Sequence, residues 1–445
     1  MRKLILATLL LGSALFASAQ SGTNSPYSQY GLGVLSDQTS GFNRGMNGVG
    51  LGFHEHNQVN YLNPASYASL DSLTFIFDVG ISGQITNFNE RQVDRFTGSV
   101  SHVKRNANNS NFEYAVAGFR LFRHVGMSFG IIPFTNIGYD YSETNGVPIS
   151  GNKVDPDITY LNSYHGEGGL HQAYVGAGWS PIAGLSVGAN ISYVWGSYTK
   201  YITNSYSNSY YKTLTRTYNT QVNSYKIDLG VQYTYQIDKK NAVTAGVTFS
   251  PGHNLGASAD MNIISNNTQT NTSDTIPFSI GKAYKLPTMI GVGLMWNRDN
   301  QWKVGFDYTL QKWGSLGYPT FEDNNGKGSY YLKDGVYKDR SKFNLGAQYC
   351  YSERSRSFLK RVAYRAGISY ATPYYKVNGV DGPKELSVSA GFGIPIINSY
   401  NNRSQLNISG QWVKSSANGL IKENTFRINI GFTFNEDWFK KWKMQ

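Results

Sequence analysis

A single cysteine, Cys350, occurs in the chain, so no internal disulfide can form. An exported chain of this length must then be held by backbone pairing and packing alone. Beyond residue 20, no continuous apolar run approaches the ~20 residues of a membrane-spanning helix. Proline is scarce at 13 residues, which leaves long segments free of its backbone restriction. No zinc, P-loop or dinucleotide signature is present; the glycines of "GVGLG" (48–52) are not followed by the helix of a βαβ unit.

The N-terminus carries Arg2 and Lys3, an apolar run from Leu4 to Phe16, and then Ala17-Ser18-Ala19. That order predicts a signal peptide over residues 1–19 and a mature chain from Gln20. About 13 apolar residues are too few to span a bilayer, and no cysteine follows the cleavage site to carry a lipid anchor. The net charge of +12, two of which leave with the signal peptide, suits anionic lipid headgroups and lipopolysaccharide in an exported protein. Nucleic acid is not an expected partner.

Aromatics make up 14% of the chain, with 33 tyrosines, and glycine is abundant at 48. Alternation with period 2 is clean in several runs. Leu185, Val187, Ala189, Ile191, Tyr193 and Trp195 oppose Ser186, Gly188, Asn190 and Ser192; Trp302, Val304, Phe306, Tyr308 and Leu310 oppose Lys303, Gly305, Asp307, Thr309 and Gln311. One apolar and one polar face is the pattern of a strand.

A soluble sandwich would also alternate. These runs are about 12 to 18 residues, beyond the ~5–6 of soluble strands, and their connections alternate between long and short, as in a membrane barrel. Fourteen strands are predicted, near 72–89, 111–122, 126–138, 168–180, 185–200, 218–237, 242–257, 283–296, 302–316, 338–352, 360–373, 384–394, 401–416 and 421–436. An even number puts both ends in the periplasm of a Gram-negative-type envelope. Trp179, Trp296 and Trp302 are expected in the periplasmic aromatic girdle, and Trp195, Trp313 and Trp412 in the outer one. The domain reading is thus signal peptide 1–19, N-terminal hatch 20–71, barrel 72–436 and an aromatic, basic tail 437–445.

Charges in the alternating runs, Lys226, Asp228, Lys303, Asp307, Arg365 and Arg427, must face the lumen, because a lipid-facing charge is costly at mid-bilayer. They form either a polar conduction path or, the preferred reading, a paired network propping the lumen. Pro133 lies inside the third strand and lacks a ladder donor, so a bulge, a break or an early strand end is required there. In the hatch, Asn63 is a good helix N-cap and Pro64 suits the first helical position. His54-Glu55-His56 lacks a clear third metal ligand, "DPD" at 155–157 reads as a solvated turn, and no Ser–His pair is placed for catalysis, so no enzyme, metal or cofactor is expected.

The order of signal peptide, "RGMNGVGLGF" followed by "NPASYASL", an immediate first strand and fourteen strands resembles the FadL/TodX family of outer-membrane transporters. Asn63, Pro64 and Ala65 match that family's hatch motif. The resemblance implies an all-β, 14-stranded antiparallel barrel whose N-terminal hatch contains short helical turns, and passive uptake of small hydrophobic molecules. It further implies a lateral gate near Ile131, Pro133, Phe134 and Ile137, with ligand-lining candidates Phe42, Leu51, Phe53 and Tyr61. The inward faces are more polar than a fatty-acid channel needs. The alternative is therefore a non-transporting barrel serving as a subunit or shuttle in an outer-membrane export or assembly complex. Its partners would be held through the Tyr-rich loop 201–217 or the tail 437–445.

Overall fold

The structure, a computed structural model, describes residues 22–93, 100–149, 153–324, 327–353, 355–396 and 404–437. The predicted signal peptide and Trp438, Phe439 and Trp442 of the tail lie outside the described residues. Fourteen antiparallel strands form the wall: β1 (Thr74–Val93), β2 (Val100–Phe122), β3 (Val125–Ile149), β4 (Lys153–Ile182), β5 (Leu185–Tyr206), β6 (Thr213–Gln236) and β7 (Asn241–Ser250). They continue as β8 (Met289–Arg298), β9 (Trp302–Gln311), β10 (Arg340–Tyr349), β11 (Ala363–Ala371), β12 (Lys384–Ile396), β13 (Ser404–Ser416) and β14 (Lys422–Asp437). Each pairs with its neighbours in sequence, and β1 pairs with β14 from Thr74↔Asp437 to Asn89↔Lys422, closing the ring. Closure removes the unpaired backbone donors and acceptors that an open edge would expose to lipid.

The alternation is realised as drawn from the sequence. On β5, Ile191 and Tyr193 are exposed while Asn190 and Ser192 are buried. The same holds on β9, where Trp302 and Phe306 face out and Lys303 and Asp307 are buried. Short connections gather at one end, at 123–124, 183–184, 237–240 and 299–301. His124 and Gly184 take positive φ there (71° and 81°), which lets such short turns close.

The wall is uneven in height. β1 to β6 have 20, 23, 25, 30, 22 and 24 residues, whereas β7 to β10 have 10 each and β11 has 9. About 9–11 residues suffice to cross the apolar layer, so the first six strands project well past it as a half-collar. Residues 90–93, 100–110, 139–149 and 153–167, expected as loops, supply much of this collar. In water both faces of a strand can be polar, so the apolar-to-polar alternation that marks a lipid-facing strand is lost there. The Tyr-rich segment 201–217 is likewise strand up to Tyr206 and from Thr213, with only the tip as a turn. A hairpin, Ala259–Asn267 with Thr272–Ile280, extends the collar by pairing Asp260–Asn266 with Asn219–Thr213 of β6.

Several expected strands are shorter than read, two of them beside prolines. β7 stops at Ser250 and β8 begins at Met289, beside Pro251 and Pro287, which cannot donate to a ladder. The intervening ends fold into a small ladder of His253–Asn254 with Lys285–Leu286. Trp313, expected in the outer girdle, is instead 1% exposed. It packs on Tyr337 and Tyr374 (5.5 and 4.9 Å) inside an apolar cluster that also holds Tyr27, Leu32, Ile137 and Tyr284. Nothing local tells whether a ring beyond a strand end turns toward lipid or inward.

Placing a charge at mid-depth on the outward face tests the boundary. Val231→Arg is expected to cost about 2–4 kcal/mol of refolding stability in lipid vesicles, read from a shifted urea midpoint.

Candidate functional site

Residues 22–73 fold inside the ring and form its hatch. Three short helical turns punctuate it: Pro26–Gln29, capped by Ser25; Gly41–Arg44; and Pro64–Ser69. The last is a 3-10 turn with Asn63 as N-cap, its Oδ1 accepting from the Ala65 amide at 3.1 Å. The Asn63 amide nitrogen donates to Leu51 O (2.9 Å) and to Val231 O of β6 (3.3 Å), which fixes the turn to both hatch and wall. Tyr67 reaches Asn190 of β5 at 3.1 Å.

The wall meets this turn with inward glycines. A Cβ on Gly188 would lie 2.4 Å from the Pro64 carbonyl carbon, and one on Gly126 would lie 1.8 Å from Tyr67 O. Gly178 and Gly230 are crowded in the same way by Pro64 and Asn63. Backbone contact of this closeness at Gly126, Gly178 and Gly188, and the Asn63 and Pro64 side chains at Gly230, leave no room for a side chain on the wall.

Charged ties hold the remainder of the hatch. Arg44 is buried and donates to Glu113 of β2 (2.7 Å), Asn429 of β14 (2.9 Å) and the carbonyls of Thr39 and Asp37 (each 3.1 Å). Glu113 also accepts from Ser82 of β1. Asp37 pairs with Lys342 of β10 at 3.0 Å and Arg427 of β14 at 3.4 Å. Burial by itself would raise the Asp37 carboxyl, but Lys342, Arg427 and Arg44 together hold it well below the usual carboxylate range. Lys200 of β5 donates to Gln29 O and Gly31 O (2.8 and 3.3 Å).

The six charges assigned to the lumen are all partnered, and three of them, Lys303, Asp307 and Arg427, reach the hatch. Lys226 pairs with Asp228. Lys303 holds Glu55 at 2.5 Å, and Asp307 accepts from the Gly50 and Leu51 amides (2.7 and 2.9 Å). Arg365 donates to Gln348, Asn407 and Gln405 (2.7, 2.5 and 3.2 Å), and Arg427 reaches Gln84 (3.0 Å) as well as Asp37. His54, Glu55 and His56 point to separate partners, Gln232, Lys303 and Asp71, so they do not converge on one point.

The ligand-lining candidates are all engaged in packing. Phe42 and Phe53 meet edge to face at 5.2 Å beside Met46, Val49 and Met295. Leu51 fills the space over Gly291 and Gly293, and Tyr61 sits between Tyr114 and Tyr174 (6.3 and 5.9 Å). Phe42 and Phe53 also edge a cavity of about 40 Å³ at the short-turn end, whose other walls include Glu55, Lys303, Arg361 and Arg365.

The third strand departs from the wall at the expected proline. The β2–β3 ladder ends at Ala115↔Ile131, while β3 stays paired with β4, with a register shift between Pro133 and Thr135. Ile131 still faces outward, but Ile132, Pro133, Phe134 and Thr135 are buried in succession, so the strand bends inward. Phe134 and Ile137 join the apolar cluster. The seam this leaves is occupied by the hatch itself. Val34 and Leu35 pair with Asn136 and Thr135; Ser28 Oγ accepts from the Gly138 amide (3.1 Å); Asn111 donates to Gly22 O (2.8 Å) and Asn24 to Asn108 O (3.0 Å).

Sequence reasoning missed Asp37, Arg44, Glu113, Lys342 and Lys200. For Asp37 and Arg44 a usable signal was there: charges in an enclosed hatch must find partners, which Glu113, Lys342 and others supply from the wall.

Two measurements probe these ties. Arg44→Met leaves Glu113 buried without its cation and is expected to cost about 3–5 kcal/mol, read from the denaturant midpoint of the refolded barrel. Asp37, with its lowered pKa, contributes fully above its ordinary value near pH 4 and loses the contribution as pH falls through the lowered one. Amide exchange over residues 34–53 is therefore expected to stay slow from pH 7 down to about 4, and to be faster throughout that range in Asp37→Asn.

Comparison with solved structures places the fold. The chain superposes on the Ralstonia pickettii toluene transporter TbuX (14% identity, TM-score 0.57, covering 88% of this chain and 97% of that one). It also matches the Pseudomonas putida toluene transporter TodX (13%, 0.57, 92% and 100%) and a Pseudomonas aeruginosa FadL homologue (10%, 0.57, 90% and 98%). No curated protein matches the sequence. The fold is thus that of the FadL/TodX-type outer-membrane barrels, as the hatch motif and strand count imply. The BamG family model matches residues 1–445, and this chain belongs to the BamG family.

Proposed function

We propose that this protein is a non-catalytic, non-conducting barrel subunit of an outer-membrane assembly or export complex, with its short turns and both termini in the periplasm. The observation carrying this reading is the hatch. Glycine contacts tie it to β3, β4, β5 and β6, and polar or charged ties add β2, β9, β10 and β14, so the lumen is filled by the chain's own hatch, fixed to the wall around most of the ring, rather than shaped around a cargo. The family name points toward assembly as well. The half-collar supplies surface for a protein partner: Tyr210 at the β5–β6 tip is 80% exposed, and aromatic residues of this kind make contacts at low entropic cost. The tail 437–445 is a second partner-binding candidate.

The seam at Pro133 favours a second reading, passive transport of a small hydrophobic molecule. Withdrawal of Val34–Leu35 would open the wall between β2 and β3 beside Ile131, Phe134 and Ile137. The solved toluene transporters share this fold.

One comparison separates the two. Purification in mild detergent from a tagged chromosomal copy is expected to recover near-stoichiometric envelope proteins, and proteoliposomes of the isolated barrel are expected to take up no hydrocarbon. A solitary protein with rapid uptake, slowed by Pro133→Val, would establish transport instead.

A further inference from the structure

With the short turns in the periplasm, the outer ends of β7, β8 and β9 meet the outer leaflet. There Phe249, Ile290 and Leu310 form one cross-strand rung, with Phe249 and Ile290 exposed. Directly above this rung opens a pocket of about 400 Å³ lined by His253, Asn254, Lys285, Thr288, Lys312 and Ser315. Sites for small molecules span about 300–1,000 Å³.

The pocket is a built feature. Its floor is the His253–Asn254 and Lys285–Leu286 ladder, and Gly252 N donates to Thr288 Oγ1 (3.2 Å) while Lys312 N donates to Thr288 O (2.9 Å). The His253 ring stacks on Tyr225 at 4.4 Å, and Tyr225 is 55% exposed on the outward face of β6, so the pocket opens on the outside of the wall. Lys285 and Lys312 are exposed at its rim, with Lys282 nearby in sequence. Asp339 pairs with Lys312 at 3.0 Å and also accepts from the Gly314 amide.

We infer that this pocket binds the phosphate of an outer-leaflet glycolipid. Lys285, together with Lys312 turned away from Asp339, meets the phosphate, the hydroxyls of Thr288 and Ser315 meet a sugar, and the acyl chains descend over Phe249 and Ile290. Cations placed at the headgroup level of an anionic leaflet each strengthen such binding. The apolar rung immediately below selects a lipid-borne phosphate over a free one, which has no use for that surface. This site is independent of what the lumen does.

The test uses the full-length protein in neutral detergent micelles and native mass spectrometry, with diphosphoryl lipid A and its dephosphorylated form as probes. The wild type is expected to retain one phosphorylated lipid with a preference of about tenfold or more over the dephosphorylated form. Lys285→Gln/Lys312→Gln is expected to lose that preference while keeping the heat-modifiable mobility of a folded barrel, and Lys285→Arg/Lys312→Arg to keep it. Equal retention of both lipids by the wild type, or an unchanged preference in the glutamine variant, would overturn the assignment. So would full displacement of the lipid by millimolar inorganic phosphate.

Discussion

A ring of fourteen strands encloses more space than its own inward side chains can fill; about eight strands is the size at which the wall fills itself. That surplus volume is the constraint on which the other features depend. The inward faces are polar, so whatever fills the space must offer hydrogen bonds and counter-charges as well as bulk. The hatch meets both demands. Its backbone lies on wall glycines, its carbonyls and amides take the wall's Asp307, Gln232 and Lys200, and its Arg44 and Asp37 complete charge pairs whose other halves stand on β2, β10 and β14.

The seam follows from the same arrangement. Once Pro133 interrupts the ladder, β3 can bend inward over the hatch, and the wall would lose backbone partners above Ile131. Val34–Leu35 supply partners on the β3 side, and Asn24 and the backbone of Gly22 make contact on the β2 side. The segment that fills the lumen is therefore also a piece of the wall, and loosening either role weakens the other.

How much of this could be read from residues alone depends on where each residue meets lipid. The later strands were legible because lipid imposes period 2 on the outward face; Ile191 and Phe306 could not be polar without cost, whereas residues 112–121 of β2 alternate poorly. The collar was hidden, since water on both faces removes that demand from 100–110, 139–149 and 153–167. Pro133 was legible as a break because its missing donor acts locally, whereas Trp313 was not, because its burial depends on Tyr337 and Tyr374, distant in sequence. The Asn63-Pro64-Ala65 turn was visible as a cap. Its contact surface on Gly126, Gly178, Gly188 and Gly230 was not, although those glycines all fall on polar faces of alternating runs.

The contacts of Arg44 and Asp37 with the last strand bear on how the ring closes. The pairing of β14 with β1 could slip, and a shift of one residue turns every side chain to the opposite face. Such a slip would point Arg427 and Asn429 toward lipid and strip Asp37 and Arg44 of partners they hold in the observed register. Hatch residues early in the sequence thus check the alignment of the strand that closes the ring. In that sense the hatch is a gauge for closing the barrel as well as its filling.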